Sequence, residues 1–484
     1  MSTTRIGYFL TALGVIGVVL SVIMDFVGIG DEGIGAAQLS GILLGIIITT
    51  FGVALVRTFP DAQLDLKGTP RIIFERLLDL PASVWVATGF LIVYVLFFLS
   101  PVFLNDERSI LYFNRFLPDR NPIGVDLNLT SGHVYSWLTT GQSPYPDQLY
   151  PPLTYILLAP LTLFNYPASY FVATYLTLVC YIILAGIIPA QFSSDRDYSL
   201  ILLFAVTGLF SYGFQFELER GQYYTVTFLL CMLSIYIFHK HHDFRLLGYL
   251  LYSFSIHLKI FPLFFLPMFI KDWRDWKGNV RRMLGLGLFN FLLLFVLGYH
   301  NFLGFIQAIL VPVQNAVYNW NFNHSLSSFM DNLLKDGYNL FSPAALLVLQ
   351  QNANVLEKMI LVIVVVCVLS MVIHAYWNRQ VGFDPYLLLA CTIVALIIPV
   401  SVDYSLPVMV APMAIFFANR TLMEGSVKKR IITAILVLVI SIAYATILFP
   451  FKYKPYYLNN AFPPLFIVLI SVTWLNFLKK ENLK

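Results

Sequence analysis

The residues able to do chemistry in this sequence stand in a few short clusters between long apolar runs. Asp126 lies in the stretch 105–166, which continues through a Gly141-x-x-Pro144-Tyr145 step into Tyr150-Pro151-Pro152. A carboxylate within reach of a hydroxyl takes up its proton as it reacts; an acid in a loop also simply keeps that loop in water. Residues 216–224 set Glu219, Arg220 and Gln222 around Gly221. Arginine forks onto phosphate oxygens and carboxylates accept from polyol hydroxyls. The plainer explanation is a helix-end ion pair closed by glycine.

Lys259 sits inside the apolar segment 245–270. A lysine there is expensive without a partner, so it suits either a counter-charge for a phosphate or a stem that snorkels to water. Residues 318–326 bring together Trp320, Asn323 and His324. Rings stack on pyranose faces and amides read hydroxyls, although a lone histidine more often has a structural role. Asp403 and Tyr404 lie in Ser401–Pro407, where the acid faces the same side as Asp126 or caps the next helix. The scattered acids have no metal-ligand spacing, so neither a metal nor another cofactor is expected.

The elements that must position these groups are membrane helices. Of 484 residues, 58% are hydrophobic and 12% charged, about half the charged share usual in soluble domains. Apolar blocks of about 20 residues match the thickness of a hydrocarbon core. They predict spans near 7–29, 35–56, 83–104, 167–190, 198–214, 221–238, 284–304, 356–376, 385–400, 405–419, 430–449 and 461–478. In 245–270, His257, Lys259, Pro262 and Pro267 interrupt the run, and basic loops flank it. That pattern predicts a hairpin of two short helices entering and leaving on one side.

Most of the 30 Lys and Arg residues fall at the N-terminus, in 57–80, 191–197, 239–245, 271–283, 377–384 and 420–430, and after 478. The positive-inside rule makes these cytoplasmic. Both termini are then inside and 105–166 and 305–355 are outer segments, with short interfacial helices expected in the first. Residues 1–80 read as two extra helices and a cytoplasmic linker ahead of a module at 81–484. The first apolar run, Gly7 to Ile29, is too long for a cleavable signal and lacks a cleavage site. The cysteines Cys180, Cys231, Cys367 and Cys391 read as packed thiols.

The order of the clusters resembles the polytopic mannosyltransferases of glycosyltransferase family 87, in the GT-C superfamily, over about 83–478. The likeness rests on Asp126, Gly141-x-x-Pro144-Tyr145, Tyr150-Pro151-Pro152, Glu219-Arg220-Gly221-Gln222, Lys259-x-x-Pro262, Asn323-His324-Ser325-Leu326 and Ser401-x-Asp403-Tyr404. It departs at the two leading spans, at Gln222 where relatives often have Asn, and at Tyr404 where many have Trp. The resemblance implies an all-α GT-C bundle of about twelve transmembrane helices. It implies a polyprenyl-phosphate-sugar donor, with Asp126 as base and His324 as a site histidine. Lys259 and Arg220 then suit the donor phosphate, with His324 as a catalytic helper at its departure, while Glu219, Gln222, Tyr145, Tyr150, Asn323, Trp320, Asp403 and Tyr404 suit sugar or acceptor.

The expected protein is a multi-pass enzyme of the cell membrane, working on its outer face. It would move a hexose, mannose by family default, with inversion to a glycolipid or polysaccharide acceptor. Membrane lipid is a partner and nucleic acid is not. A transporter or lipid-linked-glycan flippase is the main alternative. It would need charged groups along a mid-membrane path, often with paired repeats, whereas the polar groups here gather at the outer ends of spans. A polysaccharide polymerase or ligase would favour arginine-rich outer loops and a large late outer domain, and neither is evident.

Overall fold

The structure is a computed structural model that describes residues 3–23, 36–58, 78, 80–99, 123–145, 148–193, 197–315, 323–398, 400–418, 423, 425–448 and 459–478. Among them every extended element is helical, and β pairing is limited to the isolated bridges Asp272–Val381 and Asn323–Val402. The chain is an all-helical membrane protein. Helices α1 (Thr3–Ile23) and α2 (Ala36–Thr58) form a pair, and α2 packs on α3 (Ala82–Tyr94) and α7 (Tyr198–Leu209). Arg57 pairs with Asp197 at 3.2 Å, tying the end of α2 to the residue that caps α7.

Between these run α4 (Val125–Thr140), α5 (Pro152–Leu158) and α6 (Ala168–Ile182), the last continuing through a π turn to Phe192. After α7 come α8 (Tyr212–Arg220), α9 (Tyr224–Lys240) and α10 (Arg245–Leu258), then a 3-10 segment, Phe261–Phe269. The remainder comprises α11 (Trp276–Leu293), α12 (Tyr299–Asn315), α13 (Leu326–Asp336), α14 (Pro343–Trp377), α15 (Pro385–Ile397), α16 (Val410–Phe417), α17 (Val427–Leu448) and α18 (Phe462–Leu478). Helix α15 is apolar all round except for Thr392 and buried from Tyr386 to Ile397, so it forms the axis of the core.

Five helical stretches among the described residues are long and apolar enough to cross a membrane: Thr4–Ile23, Gln38–Arg57, Ala168–Phe192, Pro343–Trp377 and Val427–Leu448. Counting the pair α7–α8, bent by 50°, makes six. The expected twelve is not reached on this measure because other apolar helices are only 10–17 residues long, below the ~20 that a straight crossing needs. Proline and π turns shorten them: the run at 83–104 is helical to Tyr94 and then π-wound, and Pro407 lies in a 3-10 turn, Asp403–Met409, before α16. The expected span 284–304 is split between α11 and α12. The span expected at 356–376 instead begins at Pro343, where Ser342 Oγ caps the helix by accepting from Ala345 N.

The interrupted segment 245–270 does fold back on itself. Tyr252 Oη donates to the carbonyl of Pro262 at 3.0 Å, and Met268 O lies 2.8 Å from His239 Nε2 at the far end of α9. Arg245 Nε reaches Phe238 O at that same end. Both feet of the hairpin therefore stand together at the C-terminal end of α9, and Lys259, extended between the two helices, forms its tip at the other end.

Two left-handed glycines set the geometry there. Gly124 (φ 75) opens α4 and its N–H donates to Glu219 O at 2.7 Å; Gly221 (φ 67) closes α8. A Cβ on Gly221 would lie 2.8 Å from Leu127 Cβ, and one on Gly124 would lie 2.5 Å from the Tyr170 ring. Only glycine accepts both the backbone conformation and the crowding. The start of α4 thus abuts the end of α8, with the positive end of one helix dipole against the negative end of the other.

Candidate active site

Asp126, in the first turn of α4, meets Arg220, in the last turn of α8, through a two-point clamp. Arg220 Nη2 lies 2.8 Å from Asp126 Oδ1, and Nε donates to Oδ2 at 3.2 Å. Each side chain also suits its helix end, an anion at an N-terminus and a cation at a C-terminus. Gln222, just past Gly221, donates from Nε2 to Asp126 Oδ2 at 2.6 Å. Its other amide atom, Oε1, accepts from Lys259 Nζ at 2.8 Å. Lys259 also donates to Tyr150 Oη at 3.1 Å.

One hydrogen-bonded chain therefore runs Arg220–Asp126–Gln222–Lys259–Tyr150 and joins four segments of the sequence. The Lys259 ammonium lies 4.4, 4.7 and 4.4 Å from the ring centres of Tyr150, Tyr223 and Tyr224. Cation–π attraction of this kind strengthens as water is removed, and Lys259 is only 7% exposed. The pair Arg220 and Asp126 is wetter, with side chains 24% and 20% exposed.

Tyr145 supports this chain from below. It is buried, and its hydroxyl donates to the Tyr150 carbonyl at 2.6 Å. Its ring packs 5.9 Å from Tyr155 and 5.8 Å from Phe305. Burial pushes its phenol well above the ordinary tyrosine range, which keeps the proton on this donor. The hydroxyl of Thr154 donates to the His257 carbonyl, pinning the Tyr150-Pro151-Pro152 run to the helix that carries Lys259.

A second polar layer forms around His324. Its Nδ1 accepts the N–H of Ala461 at 3.0 Å and its Nε2 lies 2.8 Å from Asp403 Oδ1. Because Nδ1 accepts, the ring proton is on Nε2 and points to the carboxylate. The His324 N–H donates to Ser401 O at 2.6 Å, Asn323 Oδ1 accepts from Ser401 N at 3.0 Å, and Asn460 Nδ2 donates to Asn323 O at 2.9 Å. All of these residues are buried. Both ring nitrogens of His324 are engaged within this layer, which knits the entries to α13 and α18 to the turn ahead of α16.

Tyr404 joins the two layers. It follows Asp403 in sequence, and its ring centre lies 5.7 Å from Phe216 and 5.3 Å from Tyr224. Phe216 in turn underlies the Arg220 guanidinium at 5.8 Å. Of the residues singled out in the sequence, Asp126, Arg220, Gln222, Lys259, Tyr150 and Tyr404 are thus gathered around one centre. Tyr145 lies behind Tyr150, Glu219 is buried with its carbonyl on Gly124, and Asn323, His324 and Asp403 form the adjoining layer. Trp320 lies outside the described residues.

Sequence reasoning missed four contributors. Tyr223 and Tyr224 were legible only as the end of the stretch 216–224, yet two of the rings around Lys259 are theirs. Glu217 is fully buried and accepts from Thr225 N at 2.6 Å and Thr225 Oγ1 at 2.7 Å, stapling α8 to α9 across the Gly221-Gln222 turn. Asn460 carried no signal, being one amide in an Asn-Asn pair ahead of an apolar run.

Comparison with known proteins adds one finding. A family model described as Glycosyltransferase family 87 matches residues 149–401. No curated protein and no solved structure matches the chain. The matched stretch carries the residues of the two layers and their supports except Asp126, Tyr145, Asp403, Tyr404, Asn460 and Ala461.

Proposed function

Because the chain belongs to glycosyltransferase family 87 and is therefore a glycosyltransferase, we propose that it transfers a hexose, mannose by preference, from a polyprenyl-phosphate-sugar to an acceptor hydroxyl on the outer face of the membrane. Asp126 is the base. As the acceptor oxygen attacks the anomeric carbon, its proton passes to Asp126. The new C–O bond forms while the bond from that carbon to the phosphate oxygen breaks, and the electron pair leaves with the polyprenyl phosphate. Direct attack from the opposite face inverts the anomeric centre. Base catalysis of this kind contributes about 10²–10⁴-fold.

The observation that carries the proposal is the Asp126–Gln222–Lys259 chain, 2.6 and 2.8 Å long at its two links, with Arg220 beside it. It puts a carboxylate and two cations within one cluster, as attack on a phosphate-linked sugar requires. Arg220 and Lys259 take the leaving phosphate. Tyr150, Tyr404 and the amide of Gln222 face sugar and acceptor, and His324 acts through Asp403 to hold Tyr404. With the donor lipid anchored in the bilayer, no nucleotide-binding domain is needed.

The test is to incubate purified full-length protein with radiolabelled polyprenyl-phosphate mannose and candidate glycolipid or polysaccharide acceptors. Label moving to an acceptor, with polyprenyl phosphate as the second product, is the expected result. Movement of the lipid between leaflets without transfer of label would instead mark a flippase and overturn the proposal.

A further inference from the structure

Held as the structure holds it, Asp126 has little room left to accept a hydroxyl proton. A carboxylate offers about four lone-pair sites. Arg220 occupies one on each oxygen, and Gln222 takes another on Oδ2. A bidentate guanidinium also cancels most of the charge that would draw a proton from a hydroxyl. One site on Oδ1 is left, and the departure of a donor would free the carboxylate for the hydroxyl.

Gln222 is the poorer candidate. Its Oε1 is fixed by Lys259, and an ammonium can only donate, so the amide must keep its N–H₂ toward Asp126. Lys259 is itself enclosed by three tyrosine rings. Arg220 differs in two respects: its side chain is partly open to solvent, and its planar fork fits two phosphate oxygens as well as two carboxylate oxygens. The charges are arranged for such a change. Asp126 and Arg220 pair with each other, whereas Lys259 donates to neutral oxygens; the buried Glu217 carboxylate near it is turned to Thr225, and no salt bridge among the described residues involves Lys259. A phosphodiester arriving between Arg220 and Lys259 would meet an ammonium that has no carboxylate in direct contact.

We infer that Arg220 is an exchangeable clamp: in the unloaded site it silences Asp126, and the phosphate of the lipid-linked donor draws it off and so releases the base. The exchange rests on the donor class proposed above. It ties proton uptake to the presence of donor, so an acceptor hydroxyl meets an active carboxylate only when a sugar is in place. Arg220 acts on the proton transfer through Asp126 and is in that step a positioning residue.

Binding of polyprenyl monophosphate, the product that keeps the phosphate, tests this in a double-mutant cycle on full-length protein in detergent. If Asp126 and phosphate compete for one guanidinium, Asp126→Asn should tighten binding about ten-fold or more. In an Arg220→Gln background the same change should tighten it by less than about three-fold. Arg220→Lys, which keeps the charge but loses the fork, should also shrink the gain and serves if Arg220→Gln does not fold. Equal effects of Asp126→Asn in all backgrounds would overturn the exchange while leaving the donor assignment intact. Failure of wild-type protein to bind polyprenyl monophosphate would overturn both.

Discussion

Lys259 decides which way round the amide of Gln222 stands. Its Nζ donates to Gln222 Oε1 at 2.8 Å, and the N–H₂ that is left meets Asp126 Oδ2 at 2.6 Å. Reversing the amide would set two donors against each other at one end and two acceptors at the other. A lysine at the tip of a membrane hairpin thereby orients a carboxylate on a different helix without touching it.

Lys259→Met should accordingly cost at least about ten-fold in rate or in donor affinity, roughly 1.4 kcal/mol, the scale of one lost charge-assisted hydrogen bond. Because the amide is then free to turn, adding Gln222→Leu to Lys259→Met should lower the rate by far less than Gln222→Leu does alone. Steady-state kinetics on the four proteins checks this. Strict additivity of the two changes would show that lysine and amide act independently.

Asp126→Asn keeps the size of the side chain and removes the negative charge. It should fold and still bind polyprenyl phosphate, yet lose transfer by about 10²-fold or more. Wild-type turnover in purified Asp126→Asn protein would remove Asp126 from the reaction and require another acid as base.

Much of this was legible in the sequence, and the limits have physical causes. Runs of apolar residues announced membrane helices because the bilayer demands length. They did not announce where α3 winds into a π turn, or that α15, apolar on nearly every face, is a short buried axis; such helices have no polar stripe to mark their phase. The interruption at Lys259 and Pro262 did mark a hairpin, since a charge and a missing N–H together disfavour a crossing. At the site, residue types were readable and partners were not. Nothing in the spacing links Asp126 to Arg220, 94 positions apart; that contact is set by Gly124 and Gly221. His324 was legible as a polar residue in an aromatic setting, but its Nδ1 is satisfied by a backbone N–H of Ala461, 137 positions away, a donor that every residue except proline offers.

The glycine pair makes a prediction of its own. Gly221→Ala places a methyl 2.8 Å from Leu127 Cβ in a left-handed conformation, where strain alone costs about 1–2 kcal/mol. Gly141, also left-handed at the other end of α4, has nothing within 4 Å of a Cβ. Both alanine variants should lower the unfolding temperature, but only Gly221→Ala should lose transfer activity at a temperature where the protein remains folded, because it pushes Asp126 away from Arg220. Equal residual activity in the two variants would mean that the seam between α4 and α8 does not set the site.

His324 supplies the last prediction. With Nδ1 accepting from Ala461 and Nε2 donating to Asp403, the ring has no nitrogen left for donor or acceptor, and its effect on the reaction must pass through Asp403 and Tyr404. His324→Ala leaves the buried Asp403 carboxylate without this donor, at a cost of about 1–3 kcal/mol, visible as a lower unfolding temperature. The rate should fall as Tyr404 loses its seat against Phe216 and Tyr224. The shape of the pH–rate profile, however, should stay that of the wild type, since no proton of the reaction resides on this ring. His324→Gln, which can still donate to Asp403, should recover part of both the stability and the rate. A profile that lost one limb in His324→Ala would place the imidazole among the groups that exchange protons with substrate.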